Sequence, residues 1–63
     1  METKDVIIGH LYIHITSNEV YTVLEIANTD SVKWPTTVVY VDNKRRTWAR
    51  PISEFIVKFK PYT

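Results

Sequence analysis

The sequence predicts an all-β domain, a small five-stranded antiparallel barrel with a short helical turn before its last strand. Three observations point there. Short runs of β-branched and aromatic residues alternate with polar turn residues along the whole chain. The stretch from Trp34 to Phe55 reads as strand, turn, strand and proline-started turn, and it holds both tryptophans. Finally, 63 residues with 44% apolar and 24% charged content suit one globular domain, 1–63, and no more.

Met1 to Asp5 is polar and is expected to fray, after which Val6, Ile7 and Ile8 lead into a bend at Gly9. From His10 to Ile15 the residues alternate with the period of a strand. Leu11, Ile13 and Ile15 share one face, and His10, Tyr12 and His14 the other. Thr16, Ser17, Asn18 and Glu19 have turn chemistry, because short polar side chains bond nearby backbone and Asn tolerates a left-handed conformation. Val20 to Ala27 is a second strand, with Val20, Thr22, Leu24 and Ile26 opposite Tyr21, Val23, Glu25 and Ala27. Both faces are largely apolar, which suits a central strand.

Asn28 to Pro35 is a polar connection, and Trp34 is held extended by the proline that follows it. Thr36 to Val41 is the strongest strand, since five of its six residues are β-branched. Asp42, Asn43 and Lys44 mark a hairpin that, lacking Gly, is expected to need more than two loop residues. Arg45 to Arg50 pairs back as the fourth strand. Pro51 presets φ for a helical or 3₁₀ turn over Ile52 to Phe55, and Ile56 to Lys60 alternates as the fifth strand until Pro61 ends it. This layout is that of an SH3-like barrel, in which closure removes exposed edges. An open, strongly bent five-stranded sheet is the nearest rival. Leu24, Val39 and Phe55 are expected in the core, beside some of the four Tyr, two Trp and two Phe.

Composition excludes several kinds of chemistry. Without cysteine there are no disulfides, thiolates or Cys-bound zinc. His10 and His14, four strand residues apart, stand about 13 Å from each other, too far to share a metal. Ser17, Ser31 and Ser53 lie in turn contexts without a nucleophile motif, and Gly9 is the only glycine, so no phosphate loop exists. His14 with Glu25 is the sole acid–base pairing to consider, and no spacing forces it. No catalytic residue, metal or cofactor is expected. The start of the chain is not a secretory signal, and no apolar run reaches the roughly 18 residues of a membrane span, so a cytoplasmic location is expected.

The binding candidates are Trp34, Tyr40, Lys44, Arg45, Arg46, Trp48 and Arg50. Four cations interleaved with aromatic residues are the ingredients of a single-stranded nucleic-acid surface. The structural alternative is a solvated hairpin whose charges protect an edge, with Trp48 in the core. A formal net charge of +1 supplies little background field for phosphate. Arg50 has its own alternatives: pairing with Glu54 or Asp42, capping the sheet, or holding a ligand anion.

Several of these residues also carry a resemblance. Tyr12 and His14, Tyr21 and Val23, then Val38, Val39 and Tyr40, and finally Trp48, Arg50, Pro51 and Phe55 follow a Tyr-x-His, Tyr-x-Val, Val-Val-Tyr, Trp-x-Arg-Pro-x-x-x-Phe pattern. Over roughly Gly9 to Val57 the chain resembles a family of short bacterial and phage proteins catalogued as domain of unknown function 1653. The sequence departs from that pattern at Thr16-Ser17-Asn18 and at Asn28-Thr29-Asp30. The resemblance implies a compact β domain of bacterial or phage origin and brings no known activity. The expected function is a non-enzymatic binding module with a protein partner, a host protein if the chain is phage-encoded. The alternatives are nucleic-acid binding through residues 44 to 50 and sensing of a small ligand or nucleotide.

Overall fold

The structure, a computed structural model, describes residues 1–62; residue 63 of the expected domain lies outside the described residues. Five strands, β1 (Leu11–His14), β2 (Val20–Ala27), β3 (Thr37–Val41), β4 (Thr47–Pro51) and β5 (Phe59–Pro61), form one sheet in the order β4-β3-β2-β1-β5. Every neighbouring pair is antiparallel. Helix α1 (Ile52–Lys58) joins β4 to β5, the two outer strands. Those two strands do not pair with each other, so the sheet is open and hydrogen-bonded closure into a barrel is not seen. It is strongly bent all the same. Phe59 on β5 sets its ring 5.2 Å from Tyr40 on β3. Three strand spacings would separate their backbones by about 14 Å in a flat sheet.

The concave face carries the core. Phe55 projects from α1 onto it, stacked on Phe59 at 4.1 Å and met by the edges of Tyr12 and Tyr40. Val6, Val23 and Val38 complete the buried cluster. On β1 the inner face is the one that carries the aromatic side chains. Tyr12 and His14 point inward, while Leu11 and Ile15 are exposed. Tyr12 can be buried because its hydroxyl is fully used, donating to the Asp5 carbonyl at 2.7 Å and accepting from the Ile7 N–H at 2.8 Å. These bonds help to hold the start of the chain, where Thr3–Asp5 forms a 3₁₀ turn rather than a frayed end.

Two expectations need correction. Leu24, placed in the core by strict alternation, is 46% exposed, and Val39 is only partly buried. Val23 pairs with Tyr40 and Glu25 with Val39, so Leu24 is the extra residue of a bulge. A bulge shifts the inward phase by one, from Tyr21 and Val23 to Ile26. The helix is also longer than the single turn expected, running on to Lys58. Ile52, Phe55 and Ile56 are spaced i, i+3, i+4, a helical stripe aimed at the core, and this outweighs the strand period read from Ile56 as far as Lys58.

Candidate functional site

The bend leaves a groove of about 280 Å³ at one end of the concave face. Its walls come from every strand: His14 of β1, Tyr21 of β2, Tyr40 of β3, Trp48 and Arg50 of β4, and Phe59 of β5, with Ser17 and Glu19 from the first hairpin. Strand pairing explains the convergence. His14 faces Phe59, and Tyr40 faces Trp48, so these side chains share one side of the sheet. The floor is a set of edge-to-face contacts among Tyr21, Tyr40 and Phe59 at 5.2 to 5.5 Å.

The polar groups of the groove are positioned by local turns. The first hairpin turns through Asn18 at φ 62°, a left-handed conformation that Asn accepts. That turn aims the Ser17 N–H at His14 Nδ1, 3.2 Å away. The Ser17 hydroxyl lies 2.9 Å from the same nitrogen, so Ser17 holds the orientation of the ring from both its backbone and its side chain. The Tyr21 hydroxyl donates to Glu19 at 3.2 Å. Burial and this bond to an acid both raise the Tyr21 phenol above its ordinary pKa. Arg50 Nε donates to the Tyr40 hydroxyl at 3.3 Å, and Nη1 lies 3.8 Å from Glu54. The latter is the structural pairing anticipated for Arg50, at the long limit of an ion pair. Its side chain keeps 28% exposure, so guanidinium donors remain free to meet an anion.

The basic hairpin between β3 and β4 is organised by Asp42. Its buried carboxylate accepts from the N–H groups of Lys44 and Arg46, from Arg46 Nε at 2.8 Å, and from the Trp48 indole at 3.2 Å. Arg45, at φ 65°, closes a loop of three residues, longer than two as the missing glycine implies. Burial alone would raise the Asp42 pKa, but the four hydrogen bonds win and hold it well below the usual carboxylate range. A lowered folded-state pKa contributes stability above the unfolded value of about 3.9, and the contribution is lost as pH falls through the folded value. The melting temperature is therefore expected to fall with acidification below about pH 4. Asp42→Asn should flatten that slope, and parallel slopes for the two proteins would show that Asp42 is not its source.

The seven candidates thus separate. Tyr40, Trp48 and Arg50 meet in the groove. Trp48 is not a core residue, being 45% exposed with the Arg46 guanidinium 5.7 Å from its ring. Arg46 is engaged by Asp42, and Lys44 and Arg45 are exposed at the loop. Trp34 is elsewhere, exposed in the β2–β3 connection with Lys33 over its ring. That connection and the basic hairpin lie at opposite ends of β3, about 17 Å apart. Tyr21 and Phe59 were not among the candidates, and His14 was weighed only for metal or acid–base chemistry. The parity of the strands is the signal that would have gathered them, once the first strand is known to turn its aromatic face inward.

A second hollow of about 430 Å³ lies between the tips of the two hairpins, lined by Asn18, Glu19, Val20, Thr22, Asp42 and Asn43. It is larger but has no free cation or aromatic ring, and its Asp42 is already bonded to the hairpin. Among the described residues, no three His, Cys, Asp or Glu gather as a metal site, and no helix is long and apolar enough to cross a membrane. Neither family models, nor curated proteins, nor solved structures match this chain.

Proposed function

We propose that this chain is a small non-enzymatic binding module that receives a segment of a partner protein in the groove of its concave face. The observation carrying this reading is the convergence of Tyr21, Tyr40, Trp48, Phe59 and the partly exposed Arg50 from different strands. Aromatic walls with one available guanidinium suit a chain segment bearing an apolar side chain and an acid. The strand order, with a helix before β5, fits an SH3-like barrel left open on one side, and small barrels of that kind bind peptides beside their loops. The bacterial or phage origin that the resemblance implies would make the setting cytoplasmic, with a host protein as the partner if the chain is phage-encoded. Much of its pattern (Tyr12, His14, Tyr21, Tyr40, Trp48, Arg50) falls on the concave face.

Nucleic-acid binding is the weaker reading. It needs several aligned cations, yet Arg50 is the one Lys or Arg that lines the groove, and Trp34 sits at the far end of the sheet.

Selection of a displayed library of random twelve-residue peptides tests the proposal. Peptides enriched on the wild-type protein should bind Arg50→Ala at least tenfold more weakly while that variant keeps its circular dichroism spectrum. Equal enrichment on both proteins would place the binding surface outside the groove. Binding of labelled single-stranded DNA or RNA that weakens steeply with salt would favour the nucleic-acid reading instead.

A further inference from the structure

The open sheet has two edges, and they are not alike. β5 has three residues, two of which are Lys60 and Pro61, features that discourage another strand from adding. β4 is longer, has no proline before its last residue, and leaves Thr47, Trp48 and Ala49 exposed. Its backbone is a ready template. Asp42 N–H bonds the Arg46 carbonyl, and Ile52 N–H bonds the Thr36 carbonyl. With the register Tyr40↔Trp48 and Val38↔Arg50, these bonds fix the alternation: Trp48 and Arg50 bond inward to β3. The N–H and C=O groups of Thr47 and Ala49 therefore point out of the sheet.

The side chains along the same edge differ sharply between its two faces. Outward on the convex face stand Thr47 and Ala49, both small and uncharged. On the concave face stand Arg46, Trp48 and Arg50, a cation, an aromatic ring and a cation at alternate positions. Arg46 uses its Nε on Asp42 but is 58% exposed, so its terminal nitrogens remain accessible.

We propose that β4 is a docking edge for an extended segment of a partner protein, which adds as a sixth, antiparallel strand and carries the pattern acid–x–apolar–x–acid. A residue placed opposite Ala49 exchanges both backbone hydrogen bonds with it. The residue before it then lies opposite Arg50, the one after it opposite Trp48, and the one two further on opposite Arg46. Acid against each Arg and an apolar side chain against Trp48 is the complementary choice. The inference rests on the groove as the partner site and adds the backbone contact, the direction and the sequence pattern.

The test uses the same twelve-residue library, panned in parallel on wild type, Ala49→Pro and Arg50→Glu. Proline suits an edge position whose N–H faces outward, so Ala49→Pro removes only the outward donor and keeps the pairing to β3. Wild type should enrich peptides with the acid–x–apolar–x–acid pattern, Ala49→Pro should enrich none of them, and Arg50→Glu should exchange the first acid for Lys or Arg. An enriched peptide resynthesised with an N-methyl group on the residue opposite Ala49 should bind at least tenfold more weakly, a readout that needs no change to the protein. If Ala49→Pro and the N-methyl peptide bind normally while Arg50→Ala does not, the groove reading stands and edge pairing is overturned. If wild type enriches nothing, both are overturned.

Discussion

Phe55→Ala is expected to leave the domain largely unfolded at physiological temperature. Phe55 is fully buried, stacked face to face on Phe59 and flanked by Tyr12 and Tyr40, so its ring is shared by α1, β1, β3 and β5. Removing a buried phenyl ring costs about 3 to 5 kcal/mol when the site cannot collapse. Collapse is hindered here because the neighbours are rings held by strands rather than flexible aliphatic chains. A domain of this size has a total stability of roughly 5 kcal/mol, so the loss is comparable to the whole. Urea unfolding checks this; a cooperative transition near the wild-type midpoint would mean that Phe55 does not anchor α1 to the sheet.

Tyr12→Phe is expected to destabilise by about 1 to 3 kcal/mol, although it keeps the ring and its contacts. The hydroxyl bridges the Asp5 carbonyl and the Ile7 N–H. Without it, both groups lose a partner beside the buried Val6 and Tyr12. The effect should be concentrated at the start of the chain, so the amide of Ile7 should exchange faster than in wild type by hydrogen exchange. A drop in stability with Ile7 exchange unchanged would place the loss elsewhere.

Much of the fold was legible because turn chemistry and strand composition agreed. β2 was read from Val20 to Ala27 as it stands, Asn18 lies in the first turn with a positive φ, and the hairpin after Val41 needed three loop residues. What was not legible depends on tertiary contacts. Parity along β2 fails at Leu24 because the bulge is defined by pairing with β3. Alternation along β1 separated its two faces without showing which one is buried, since the partner of Tyr12 is a backbone segment five to seven residues earlier. The end of α1 was hidden because Ile56 to Lys60 fits a strand period, and only the packing of Ile52, Phe55 and Ile56 decides for a helix as far as Lys58. The candidate site divides in the same way. Tyr40, Trp48 and Arg50 could be grouped because they sit on adjacent strands joined by one hairpin, and Trp34 was drawn in by closeness in sequence alone. Asp42, read as a turn residue and as a possible partner of Arg50, instead sets the hairpin that holds Arg46 and Trp48.

The central claim is an open sheet whose β4 edge is free beside an aromatic groove, and amide hydrogen exchange along β4 tests it most directly. Trp48 and Arg50, bonded to β3, should be protected to nearly the same degree as the sheet interior. Thr47 and Ala49 should exchange at close to the rate of an unstructured peptide. Slow exchange at all four amides would contradict the account, because it would mean that another strand, or the closed wall of a barrel, already covers this edge.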